Sequence, residues 1–362
     1  MNGSSRLRVF ELADRRLSGT MDAFTAAPQA RTGFSGVTVC CCGSLPLHEV
    51  TVGRTAAERI GKGFLMKVRR HDSDSIPLFA DLPSDDQLVS LRARPDRLGL
   101  AVLDYKDVSG ILTTPKGFMA GYDYTINPYT GCAFGCSYCY AASFAPDDRS
   151  VESWGRWVVV KQNAIDLLKR ARRDLRGKSI YISSVTDPYQ PIEKHLELTR
   201  DILRELVHHQ PRLVIQTRSP LVVRDIDLIG QFEVAQVNMT VTTDSEEVRR
   251  AFEPACPGNQ QRLDAIATVR AVGIQTCITM TPLLPVADAE EFATALLATG
   301  VTRFIVQPFH PKKGQFAAGT KDTAAPLIAR YNWTGDGYVA VREVLRRRLP
   351  QLGEGKEGFA PV

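Results

Sequence analysis

The chain has 362 residues, 44% hydrophobic and 23% charged, with 45 basic against 40 acidic side chains for a net charge of +5. That composition excludes collagen-like, coiled-coil and wholly disordered chains, and so small a basic excess does not mark a nucleic-acid binder. Eight cysteines are too few for a disulfide-stapled scaffold, so where they cluster they point to metal binding or chemistry.

Residues 1–110 are rich in Ser, Gly, Arg and Asp and show little periodicity, so an irregular, partly disordered N-terminal extension is expected there. Its first residues lack the apolar stretch of a signal peptide, and no apolar run approaches the ~18 residues of a membrane span. A soluble, cytoplasmic protein without a membrane partner is expected. The run Cys40-Cys41-Cys42 reads as incidental thiols, because adjacent side chains on an extended chain point in opposite directions. Met66 opens a more familiar stretch, which suggests that translation starts there and that residues 1–65 are dispensable. Deleting them tests this.

From about residue 120, short β-branched runs alternate with helical periodicity, the pattern of βα units on a parallel sheet. Strands are expected at Tyr124–Asn127, Ser179–Val185, Leu213–Thr217, Gln236–Thr242, Gln275–Met280 and Arg303–Gln307. Helices are expected at Asn163–Arg173, Thr199–His208, Arg224–Ile229, Gln260–Val272 and Asp288–Ala298, the second capped by Thr199. Six β/α repeats within residues 111–330 make an open partial barrel, short of the eight of a closed one. Residues 331–362 form a short helical C-terminal segment.

Directly after the first strand stand Cys132, Cys136 and Cys139, a C-x3-C-x2-C spacing, with Gly131 and Gly135 allowing a tight loop. Thiolates at such spacing hold iron–sulfur clusters, whereas a structural zinc wants a fourth ligand that is absent nearby. Three ligands leave one metal position open for a small molecule. Two other readings remain: three buried thiols, or a closed cluster completed by Cys256 or Cys277.

The motif, with an aromatic residue before its last cysteine, resembles that of the radical S-adenosylmethionine (SAM) superfamily. Several further blocks resemble its spore photoproduct lyase-like branch: 124–132, 184–193, Gln216-Thr217-Arg218-Ser219, Val241-Thr242-Thr243-Asp244 and Phe252-Glu253-Pro254. The resemblance implies a radical SAM partial (β/α)6 barrel and a [4Fe–4S] cluster on Cys132, Cys136 and Cys139. It also implies SAM as cosubstrate, an external flavodoxin- or ferredoxin-like one-electron reductant, and reductive formation of a 5′-deoxyadenosyl radical. Lyase-type repair of damaged DNA is one implied use.

Thr186, Asp187, Ser219, Thr242 and Thr243 all follow strands, on the face where such barrels bind ligands, and are expected to bind SAM. Thr186-Asp187-Pro188 is equally able to form a simple turn. Tyr138 and Tyr140 match tyrosines implicated in radical relay in the lyase; packing over the cluster is the plainer role. Where the lyase is understood to use a cysteine hydrogen donor, this chain has Ser183 and Ser184, whose hydroxyl hydrogens are held too tightly for that task. The basic run from Lys161 to Lys178 reads as a solvated helix face, as does Arg346-Arg347-Arg348, while His310 and Lys312-Lys313-Gly314 are expected near the barrel mouth. Nucleic-acid contact follows from the resemblance alone. A non-catalytic electron-transfer or redox-sensing protein is the other functional class considered.

Overall fold

The protein is described by a computed structural model covering residues 94–171, 173–310 and 323–362, without the side chain of Glu357. The chain divides into two units, Met1–Leu78 and Phe79–Val362, and every described residue belongs to the second. The expectations for Cys40-Cys41-Cys42, Met66, Arg172 and Lys312-Lys313-Gly314 lie outside the described residues.

The strands in chain order are β1 (Arg97–Leu98), β2 (Ala101–Lys106), β3 (Leu112–Thr113), β4 (Tyr124–Ile126), β5 (Tyr129–Thr130), β6 (Trp157–Lys161) and β7 (Ser179–Ile182). They continue with β8 (Arg212–Thr217), β9 (Ala235–Thr240), β10 (Gln275–Met280), β11 (Arg303–Val306) and β12 (Gln351–Glu354). The main sheet runs β12-β11-β10-β9-β8-β7-β4-β3, parallel throughout except for the antiparallel edge pair β3/β4. Its two edge strands do not pair with each other, so the expected six-repeat barrel stays open.

Each central strand sends alternate side chains to opposite faces. In β9, Ala235, Val237 and Met239 join the apolar core against the outer helices. Gln236, Asn238 and Thr240 face the other way, buried but polar. On this inner face Gln216 of β8 donates to Thr240 at 2.8 Å and Thr279 of β10 at 3.0 Å. The sheet therefore has an apolar outside and a hydrogen-bonded inside, which is what a ligand-lined lumen needs.

Two strands end two or more residues earlier than expected. β7 stops at Ile182 because Asn127 takes over from the ladder: its Oδ1 accepts from Ser183 Oγ, Ser184 N and Val185 N at 2.9, 2.9 and 3.0 Å. β9 stops at Thr240. The helix expected to start at Thr199 runs Leu198–Val207, with Glu197 at its N-cap in a left-handed conformation. Thr199 instead donates its hydroxyl to Pro188 O at 2.5 Å, and its amide goes to the Glu193 carboxylate. A nearby buried carboxylate outcompetes the hydroxyl as a cap.

A second sheet, β1-β2-β6-β5, was not expected. Two of its strands lie inside residues 1–110. Its value is positional: β5 pairs antiparallel with β6 and leads straight into the cysteine loop. At the C-terminus the basic helix Gly335–Arg348 precedes β12, which lies parallel to β11 as a seventh parallel strand.

Candidate metal and cofactor site

The cysteine loop leaves β5 through Gly131, whose φ is +80°. A Cβ there would stand 2.7 Å from the Trp157 carbonyl oxygen, so only glycine lets the loop cross β6. At Gly135, also left-handed, the loop meets Gly155, where a Cβ would lie 2.8 Å from the Gly135 Cα. The glycines make room for the protein's own backbone, and the cysteines are thereby turned away from it. Ala133 N donates to Gln190 Oε1 at 2.8 Å and Ser137 N to Phe252 O at 2.8 Å, pinning the loop to two neighbouring segments.

Cys132, Cys136 and Cys139 all line one cavity of about 560 Å³, and none is in a disulfide. Facing them are the chain ends beyond β7 and β8, including Ser183, Ser184, Thr186, Asp187 and Arg218. Three thiols presented by one loop to one cavity would suit an open-site [4Fe–4S] cluster. Among the described residues no three His, Cys, Asp or Glu side chains converge tightly enough for a single ion. A cubane does not ask that of them, since each thiolate binds a different iron. The residues present fit the group.

The three sulfurs are electrostatically unequal. Burial pushes the Cys132 thiol well up and Cys139 up to about 11. Cys136 is drawn below its ordinary value, foremost by a hydrogen bond from Cys256, whose Sγ is 3.6 Å away, and further by Arg218. Burial raises Cys256, so it keeps its proton and donates. Arg218 Nη1 lies 3.1 Å from Cys136 Sγ, 2.7 Å from the Tyr138 hydroxyl oxygen and 3.1 Å from Glu253 Oε1. Glu253, fully buried, also accepts from Arg262 Nη2 at 2.5 Å, Thr242 Oγ1 at 2.9 Å and the Tyr138 hydroxyl. Burial alone would raise Glu253, but Arg262 and Arg218 outweigh it and hold the carboxyl at about 2.

Of the residues expected to bind SAM, Thr186 and Asp187 line the cavity and Ser219, Thr242 and Thr243 do not. Thr186 donates to Gly131 O at 2.6 Å, tying the end of β7 to the cysteine loop. Both Asp187 oxygens are engaged inside the protein, by Thr217 Oγ1, Tyr189 N and Arg218 N at 2.7 to 2.9 Å. Ser219 caps the following turn, Thr242 holds Glu253 and Thr243 donates to Pro285 O, so strand-end hydroxyls serve as internal struts. Tyr138 and Tyr140 both line the cavity; Tyr138 is tied to Glu253 and Arg218, and Tyr140 donates to Ser184 O.

Arg218, Glu253 and Arg262 are absent from the sequence-based site. The first two stand inside family-like blocks, but nothing in the spacing shows that a residue after β8 reaches the cysteine loop. The basic run from Lys161 to Lys178 is largely engaged: Arg176 pairs with Glu233, Lys178 with Asp123, and Arg173 stacks over Tyr124. Arg346 and Arg348 pair with Glu343 and Glu290. His310 lies on the cavity wall. Among the described residues no helix is long and apolar enough to cross a membrane.

Residues 126–297 match the family described as the radical SAM superfamily. An uncharacterized protein of Methanocaldococcus jannaschii is 41% identical over 165 residues, which cover 46% of this chain and 62% of that protein. An uncharacterized protein of Mycobacterium tuberculosis is 29% identical over 265 residues, 67% of this chain and 77% of its own length. Among solved structures, a spore photoproduct lyase mutant with a dinucleoside spore photoproduct superposes with a TM-score of 0.51 at 15% identity, covering 70% of this chain and 81% of that one. Residues 126–297 are thus similar to the radical SAM superfamily, and the open barrel shares its fold with that lyase structure.

Proposed function

We propose that the protein is a radical SAM enzyme in which Cys132, Cys136 and Cys139 hold a [4Fe–4S] cluster and SAM lies between that cluster and the ends of β7 and β8. The observation that carries this reading is the shared cavity: the three thiols form one wall and Ser183–Asp187 with Gln216–Arg218 another. When bound, cluster and SAM supply a 5′-deoxyadenosyl radical on one-electron reduction by an external flavodoxin- or ferredoxin-like donor. The chain's own contribution is positional. Gln190 and Thr186 fix the cysteine loop against the end of β7, Asp187 locks the ends of β7 and β8 together, and buried aromatics such as Tyr138 and Trp154 keep water from the cluster wall.

Cys256 does not suit the role of a fourth ligand. Its sulfur touches Cys136 at 3.6 Å and lies off the cavity wall, whereas a fourth ligand must reach a separate iron. Cys277 is buried in β10, also off that wall. The electron-transfer reading is therefore disfavoured. The deciding experiment is the EPR spectrum of anaerobically reconstituted, reduced protein before and after SAM. A spectrum altered by SAM supports an open iron; an unaltered one, or cluster loss in Cys256→Ala or Cys277→Ala, favours the closed cluster.

As to substrate, lyase-type repair of a DNA lesion remains the named alternative within this chemistry. Apart from the three proposed ligands, no described cysteine lines the cavity, and Ser183 and Ser184 stand at the end of β7. This favours hydrogen abstraction without a protein thiol as hydrogen donor. Photoproduct reversal by the wild type would overturn that preference, and gain of reversal only in Ser184→Cys would support it.

A further inference from the structure

Arg218 presents a puzzle of charge. Glu253 is already matched by Arg262, at 2.5 Å and with both side chains wholly buried, and by the hydroxyls of Thr242 and Tyr138. A second guanidinium is not needed to neutralise one carboxylate, yet Arg218 is brought to the same place and is only 17% exposed. The trio Arg218, Glu253 and Arg262 carries one positive charge in excess. The remaining acceptor within reach of Arg218 Nη1 is Cys136 Sγ, at 3.1 Å.

We infer that Arg218 is a positioning residue for electron entry: held by Glu253, Tyr138 and the backbone bond from Arg218 N to Asp187, its guanidinium donates to the Cys136 thiolate and raises the reduction potential of the cluster. The inference rests on the cysteine loop holding that cluster. Hydrogen bonds and positive charge at a ligand sulfur stabilise the reduced, more negative cluster over the oxidised one. Arg suits the task because it stays charged when buried, and its Nη1 lies within hydrogen-bond reach of Cys136, Tyr138 and Glu253 together. Cys256 Sγ lies 3.6 Å from the same sulfur. Of the three proposed ligand thiols it is Cys136 that the Arg218 guanidinium contacts, so the effect is concentrated at one corner of the site. The step is a one-electron reduction, the electron coming from the external donor of the proposed reaction.

The test compares wild type, Arg218→Met and Arg218→Lys after anaerobic loading with iron and sulfide, by iron and labile-sulfide analysis and an EPR-monitored redox titration without SAM. At the potential that half-reduces wild type, we expect Arg218→Met to hold at least tenfold less reduced relative to oxidised cluster, a shift of ~59 mV or more toward negative potential for a one-electron couple. Arg218→Lys, which keeps the charge and loses the guanidinium, should shift less. Should Arg218→Met not fold, Arg218→Gln takes its place with the same expected direction. Neutral variants that titrate with wild type, or a lysine variant displaced as far as the neutral one, overturn the inference. A wild-type chain that binds no cluster overturns the metal reading first; a loaded wild type with an unmoved neutral variant overturns the role of Arg218 alone.

Discussion

Glu253 lies in the core with two guanidiniums and two hydroxyls on its oxygens, and its ionisation is tied to the fold. Its carboxyl ordinarily titrates near 4.5 and is held at about 2 in the folded chain. The folded state therefore binds this proton less readily than the unfolded one, so the stabilisation is complete above 4.5 and is lost as pH falls toward 2. By linkage it amounts to roughly 3 kcal/mol. Glu253→Gln should cost about 3–5 kcal/mol at neutral pH, because it strands buried Arg262. Urea midpoints across pH check both points: the gap between wild type and variant should narrow below pH 4.5. Gly155→Ala places a Cβ 2.8 Å from the Gly135 Cα at a φ of +97°. We expect a cost on the order of 2–3 kcal/mol, together with reduced iron uptake on reconstitution, since the cysteine loop must shift. Iron analysis of the soluble variant decides whether the loop or only the fold is affected.

Among the elements, the helix Ala289–Ala298 starts as its sequence suggests, with Asp288 accepting from Glu290 N and Glu291 N at 2.9 Å. Asp288→Ala should cost about 1 kcal/mol, read as a lower thermal midpoint with an unchanged EPR spectrum. The expected Thr199 cap fails because the helix starts one residue earlier, its first free amides, those of Thr199 and Arg200, being taken by the buried Glu193 carboxylate; local rules hold where no buried partner competes. The small sheet was missed for a related reason. Trp157–Lys161 is a β-branched run with a strand's character, but its partners β2 and β5 both lie on the far side of the cysteine loop in sequence, so only pairing reveals it. β12 was missed because Gln351–Glu354 has little apolar patterning and gains its place by pairing with β11. Removing residues 351–362 exposes the backbone edge of β11. The truncated chain should lose soluble yield and melt lower, as measured on matched expressions.

For the whole molecule, cluster, SAM and fold should be thermodynamically linked if one cavity serves them all. A ligand binding only the folded state at 100 times its Kd adds about 2.7 kcal/mol. SAM should raise the thermal midpoint of the reconstituted protein and leave that of a Cys132→Ala, Cys136→Ala, Cys139→Ala variant unmoved. An equal rise in both would place SAM away from the cysteines.

By itself, the sequence determined the parallel βα order, the open six-repeat barrel and the three thiols after the first strand. Each is written locally, as periodicity along a strand or spacing within one loop. Tertiary structure alone decided which strand-end residues meet that loop. Arg218, Glu253 and Arg262 are drawn together from separate elements because a buried charge must find its partner wherever the fold places it. Ser219, Thr242 and Thr243 were spent on internal bonds for the same reason: a hydroxyl buried beside a backbone or carboxylate acceptor is satisfied there first.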